Sequence, residues 1–207
     1  MSRINFYFLS FVPFVLFAAK IKIMNDEVEN LTSELNKISD DAQGKFGNLS
    51  AEQINWRPSA EGWSVGQCFE HLIKTNKLFY DELDKIGSGA RKNSFWENWS
   101  PLTSFGGKFL IKSLKSDARK FKAPSKAIVP PSEIKADIIE EFSKHQTEVI
   151  EKIKQTESAD WRKTVITSPF MKLMTYSFAD GLQVVVEHEK RHFRQAERVL
   201  QAEGFPK

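Results

Sequence analysis

Apolar residues recur at three- and four-residue intervals over four long stretches of this chain, the spacing of one buried helix face. From Met24 to about Phe46 they fall at Val28, Leu31, Leu35, Ile38, Ala42 and Phe46. Asn48-Leu49-Ser50 interrupts the pattern, and Ser50-Ala51-Glu52-Gln53 has the form of a capping box, a hydroxyl followed three residues later by a glutamine. Trp56-Arg57-Pro58 should run extended, because the residue before proline avoids the helical region. Ser64-Val65-Gly66-Gln67 is a second capping box. It opens a helix with Val65, Cys68, Phe69, Leu72, Ile73, Phe79, Leu83 and Ile86 on its apolar face, ended by Gly87-Ser88-Gly89.

Residues 90–130 carry the least regular pattern. Trp96 and Trp99 are expected to pack on the body, and Phe105 to Leu114 to form a short helix. Pro124, Pro130 and Pro131 mark an extended connection. Ser132 is expected to cap a third long helix, with Ile134, Ile138, Ile139, Phe142, Val149, Ile150 and Ile153 inward. A polar stretch, Trp161 and a loop at Ser168-Pro169 lead to a last helix from about Ser177 to Glu203, stopped by Gly204 and Pro206. Strand-like alternation is confined to Thr164–Thr167. The pattern predicts an all-α fold: an antiparallel four-helix bundle with a long crossover between helices 2 and 3.

The first 23 residues change this picture. Ile4 to Ala19 is nearly all apolar, broken by Pro13 and preceded by Arg3. The run is short for a bilayer span, and its flank fits a signal cleavage site poorly, since Phe17 or Leu16 falls where a small residue is wanted. A signal or anchor, and a mis-assigned start with translation beginning at Met24, remain open side by side. The division expected is a hydrophobic segment over 1–23 and the bundle over 24–207. A cytoplasmic location is expected, with membrane anchoring or export as the alternative if the segment is genuine.

Composition fits a globular domain: 41% hydrophobic, 28% charged, and one cysteine, so no intrachain disulfide. The formal charge of +3 is not a nucleic-acid signature. Residues 1–23 hold three of the 30 basic residues and no acid, which leaves the rest balanced at 27 of each sign. Only Lys108 to Lys126 is locally basic, and a solvated face explains it. Nucleic acid is not expected as a partner.

Of four histidines, His188 and His192 stand four apart on the last helix, one turn apart on one face. His71 lies mid-helix on an otherwise apolar side of another helix. Facing helices of a bundle can bring such residues together, and three neutral imidazoles suit zinc, nickel, iron or copper. On the residues alone, ligation and simple packing weigh about equally.

The chain resembles the DinB-like (YfiT-like) superfamily of metal-binding four-helix bundles. The resemblance rests on Gly62-Trp63-Ser64 followed by His71-Leu72, and on His188-Glu189-Lys190-Arg191-His192-Phe193-Arg194-Gln195, with Trp56-Arg57-Pro58 and Lys122-Ala123-Pro124 in support. It extends from about Met24 to Leu200. It implies His71, His188 and His192 as ligands of one divalent metal ion with an open position. It also implies a function among thiol-dependent transferases and isomerases that use low-molecular-weight thiols such as bacillithiol or mycothiol. The partners expected are therefore a small thiol and an electrophile, the metal activating a thiol or water. A metal-dependent hydrolase and a non-catalytic, stress-associated metal-binding protein are the alternatives. A homodimer is compatible with a small bundle, though no interface is evident.

No residue is assigned a catalytic role and no organic cofactor is expected. Glu187, Glu189 and Glu141 are candidates for accepting an imidazole N–H or serving as a base, although Glu187 and Glu189 are expected to be solvated. His145 is expected at the surface, Cys68 as a small buried hydrophobe, Trp56 at the bundle end and Trp63 beside the pocket. The sequence has no Gly-rich phosphate loop, nucleophile elbow or paired-cysteine zinc motif, which leaves nucleotide and serine-hydrolase chemistry unsupported.

Overall fold

A computed structural model describes residues 11–116 and 128–207, with side chains from Asp26 onward. The described residues are all-α apart from one two-stranded hairpin. Helix α1 spans Phe11–Phe46, α2 Ala51–Asn55, α3 Val65–Lys77, α4 Tyr80–Gly87, α5 Phe95–Trp99, α6 Gly106–Lys115, α7 Ile138–Gln155 and α8 Phe178–Leu200. Strands β1 (Val165–Thr167) and β2 (Thr175–Ser177) pair antiparallel, Ile166 opposite Tyr176.

Four rods surround one core: α1, α3 with α4, α7 and α8. The expected inward residues fill it, from Val28, Leu35 and Phe46 on α1 to Phe69 and Leu72 on α3 and Phe142 and Ile153 on α7. Direction can be read from the pairs across each seam. Lys45 meets Glu197 and Glu34 meets Lys190, so α1 and α8 run the same way. Asp84 meets Lys152 and Tyr80 meets His145, so the α3–α4 rod and α7 also run together, as a long crossover requires. The antiparallel neighbours are α1 with α7, where Gln146 reaches Leu35 and Lys154 lies opposite Val28, and α3 with α8.

Both predicted capping boxes form. Ser50 and Gln53 close α2, and Ser64 and Gln67 close α3, each hydroxyl accepting from the third backbone N–H while the glutamine carbonyl accepts from the cap. The rod of α3 and α4 is interrupted without proline. The N–H groups of Leu78 and Phe79 donate to Thr75 and Asn76 three residues back, tightening one turn.

Two expectations fail on tertiary grounds. Ser132 caps nothing, and α7 begins only at Ile138. The Asn55 side chain pairs with both the N–H and the carbonyl of Ile134, at 2.8 Å each, and Gln67 donates to Pro131. These bonds hold residues 131–134 as a strap across α2 and α3. Trp96 and Trp99 do not pack inward, and both are exposed. What fixes that part of the crossover is Arg91, which donates to Glu82, Glu97 and the Val165 carbonyl. Helix α1 begins at Phe11 and runs through Met24 without a break.

Residues 1–10 and 117–127 lie outside the described residues, and with them the first part of the apolar N-terminal run, Lys122-Ala123-Pro124 and the basic positions beyond Lys115. Among the described residues no helix is long and apolar enough to cross a membrane.

Candidate metal centre

The Ser64 capping box starts α3 just where His71, two turns on, faces the core beside Cys68, Leu72 and Thr75. Across the antiparallel seam, α8 presents His188 and His192 one turn apart. The three rings converge. Centroid distances are 5.1 Å for His71–His188 and 4.6 Å for both His71–His192 and His188–His192. One nitrogen from each ring can be chosen so that all three lie within 4.8 Å of one another. Nε2 of His71 and Nε2 of His188 stand 3.3 Å apart. Two nitrogens each about 2.0–2.1 Å from a tetrahedral ion would be separated by about 3.3 Å.

Hydrogen bonding orients these nitrogens. Nδ1 of His71 lies 2.7 Å from the Ile128 carbonyl, which can only accept. That nitrogen therefore carries the proton, and the Nε2 lone pair is directed at the other histidines. Trp63 stacks on His192 (centroids 5.6 Å, 19° between planes) and tilts over His71 at 4.9 Å. Phe170 lies beside His188. Apolar walls on two sides leave the imidazoles poorly hydrated. His71 and His192 are buried and His188 is partly open.

Burial drives all three pKa values down. His188 falls to about 3, by desolvation first and then by the neighbouring His71 and Arg191. His192 falls well below the ordinary range for the same reason, with His188 and His71 adding to it and Gln195 opposing. His71 is lowered by desolvation, against the Ile128 bond. All three are neutral at pH 7, the form in which imidazole binds metals. Nδ1 of His192 is buried without a hydrogen-bond partner of normal geometry. Without a cation, His188 Nε2 can donate to His71 Nε2, but the buried Nδ1 of His192 is left unpaired, which is costly. The donor set fits a divalent ion.

A sequence model of the DinB superfamily matches residues 34–196, most of the chain and all three histidines. The chain belongs to the DinB superfamily. No curated protein and no solved structure matches it.

The other candidates of this DinB-superfamily chain fall into place around the histidines. Glu189 is fully buried, contrary to the expected solvated position. Its carboxylate accepts from Asn76 of α3 (2.7 Å) and Gln146 of α7 (2.8 Å), and Gln146 also reaches the Leu35 carbonyl of α1. Burial raises its carboxyl to about 8 against those two donors. Glu187 is buried as well, with Gln183 at 3.2 Å and the ammonium groups of Lys190 and Lys115 at 3.7 and 3.8 Å. The α8 helix is packed by α1, α3 and α6, which leaves its polar positions little access to water. Glu141 is partly exposed and pairs with Lys135 on the outside of α7.

His145 is buried rather than exposed, its Nδ1 3.0 Å from the Tyr80 hydroxyl, and it is not part of the histidine cluster. Cys68 is the buried hydrophobe expected, its thiol pushed up to about 12 by desolvation. Trp56 packs on Phe205 at the bundle end. The Asn76–Glu189–Gln146 brace escaped sequence reasoning, since its members are unremarkable polar residues on three different helices.

Proposed function

We propose that His71, His188 and His192 hold one divalent metal ion and that the protein uses it to activate a low-molecular-weight thiol for attack on a small electrophile. The observation that carries this reading is the convergence of three neutral, oriented imidazoles on one point, with His188 still partly open to solvent. When bound, such an ion lowers the pKa of a coordinated thiol or water toward and below neutrality.

The chain's own residues define the rest. His71 is fixed in tautomer by Ile128, and His192 in plane by Trp63. Trp63 and Phe170 exclude water from the flanks. Among the described residues the nearest carboxylates are engaged elsewhere, Glu189 by two amides and Glu187 by lysines. That favours a thiol over water: a thiol of pKa about 8.5 would need no protein base beside an ion held by these histidines, its proton passing to solvent, whereas hydrolysis gains most from such a base.

The test is metal analysis of the purified full chain beside His71→Ala and His188→Ala, followed by thiol conjugation assays with model electrophiles. Near one equivalent of metal in the wild type, little in the variants, and conjugation above that of free metal support the reading. Metal without turnover would make this a binding protein. No metal after titration would overturn the site itself.

A further inference from the structure

We infer that the end of the bundle carrying α5 and the β1–β2 hairpin is a docking face for an anionic membrane surface. The face is unusual in composition. Phe95 is 79% exposed, Trp99 75% and Leu173 71%, and Trp96, Phe105 and Phe109 are also exposed. These side chains belong to one neighbourhood. The rings of Phe95 and Trp99 are 6.3 Å apart, and the Trp96 indole N–H reaches the Leu173 carbonyl at 3.3 Å. Phe105 and Phe109 are four apart, one leading into α6 and the other on its first turn, and α6 packs on β2. Exposed aromatics concentrated in one place mark an interaction surface rather than ordinary surface variation.

Charge identifies the partner. Residues 88–116 and 168–174 contain a single acidic residue, Glu97, which is buried and bonded to Arg91. Lys92, Lys108, Lys112 and Lys172 are exposed in the same stretches. Aromatic rings beside lysines, in two stretches without an exposed acid, suit the boundary between acyl chains and anionic headgroups, where Trp and Phe enter the interface and ammonium groups reach phosphates.

The mount is rigid. Arg91 ties this segment to Glu82 of α4 and to the hairpin, Thr167 donates to Glu97, and Ser100 and Thr103 bond to Thr175. Geometry at the same end supports the assignment. Glu27 of α1 pairs with Arg162, just ahead of the hairpin, so α1 continues from there toward Phe11 on this side of the bundle. Phe11 to Ala19, part of the most apolar run of the sequence, therefore leads off the end that carries the aromatic face.

The experiment is vesicle co-sedimentation of the full chain with phosphatidylcholine alone and with phosphatidylglycerol added. It compares the wild type, Phe95→Ser/Trp99→Ser and Lys108→Glu/Lys112→Glu, all of which keep residues 1–23. Binding should require the anionic lipid and weaken with salt. It should fall at least about tenfold in the aromatic variant and at least about fivefold per lysine removed in the charge variant. Trp fluorescence of the wild type should shift to the blue on binding, less so in Trp99→Ser. The substituted side chains are exposed, so thermal unfolding and metal content should stay at wild-type values. Equal binding to both lipids, or variants that bind like wild type because residues 1–23 alone hold the vesicle, would overturn the proposal. So would a face that proves to pair two copies of the chain, seen as a dimer by light scattering that the aromatic variant abolishes while vesicle binding is unchanged.

Discussion

Replacing Glu189 by alanine should cost about 4 kcal/mol of folding stability, while replacing it by glutamine should cost about 1 kcal/mol. The alanine variant removes the acceptor for two buried amide donors, Asn76 Nδ2 and Gln146 Nε2. An orphaned buried donor costs about 1–3 kcal/mol. Asn76 bears that in full, whereas Gln146 keeps a longer bond to Leu35. Loss of the carboxyl and its methylene leaves a cavity among α1, α3 and α7 worth roughly another 1–2 kcal/mol. Glutamine keeps the volume. Its added N–H can be received by Gln146 Oε1, which has no partner at present, once that amide turns over. Because burial raises the Glu189 carboxyl to about 8, it is mostly neutral at pH 7 in the metal-free protein, and an amide mimics it closely. Urea unfolding at pH 7 with excess chelator, followed by far-ultraviolet circular dichroism, measures both variants. A loss below about 1 kcal/mol for alanine, or equal losses for the two, would refute the claim that this carboxyl braces three helices.

Three further outcomes follow from the same structure. His145 is buried with its pKa lowered to about 4, desolvation first, so its unfolded form binds the extra proton between about pH 6.5 and 4 and stability must fall with acid across that window. From pH 7 to 5 the wild type should lose about 2 kcal/mol more than His145→Gln in urea titrations. Gly66→Ala should destabilise by about 1–3 kcal/mol, since the new methyl would sit 2.8 Å from Ile54 and 2.9 Å from Ile134, whereas Gly44→Ala, with open space and a helical backbone, should gain up to about 1 kcal/mol by thermal unfolding. If the three histidines bind metal, a free concentration a hundredfold above the dissociation constant should stabilise the wild type by about 2.7 kcal/mol, and this gain should vanish in His188→Ala.

The buried faces of α1, α3 and α7 were legible because each rod turns one stripe inward, and a stripe is a periodic signal. Ser50 and Ser64 were legible as caps because a capping box is local chemistry, complete within four residues. The three histidines were visible as a pair and a singleton, and their meeting followed once α3 and α8 were taken as facing. Glu187 and Glu189 were misjudged by the same stripe logic. A helix packed on one side has a wet face, but α8 is covered by α1, α3 and α6, so carboxylates off the histidine stripe are buried too. Ser132 was misjudged for a complementary reason. Its local cap signal competes with Asn55 and Gln67, whose side chains hold the backbone on either side of it, at Ile134 and Pro131, from 79 and 64 residues away in sequence. His145 sits between Lys144 and Gln146 in a polar-looking run, yet Tyr80 closes over it.

The arrangement around the histidines also bears on where the attacking group would come from. A protein nucleophile in this site would need to be ionised, close and free. Cys68 is one turn before His71, but its thiol is fully buried and pushed to about 12, so it holds no thiolate at pH 7. The Tyr80 and Tyr176 hydroxyls are raised as well, Tyr176 to about 12, in both by desolvation first, so neither is ionised at pH 7. Glu189 has both oxygens occupied by amides, and Glu187 faces lysines. Among the described residues, what remains at the cluster is three neutral nitrogens between aromatic walls and one partly open edge. Such a site is fitted to hold a group that arrives from solution through that edge, and the acid–base work then falls to whatever the imidazoles bind. The small thiol proposed above would carry its own nucleophile and would ask nothing more of the chain than a cation to ionise against.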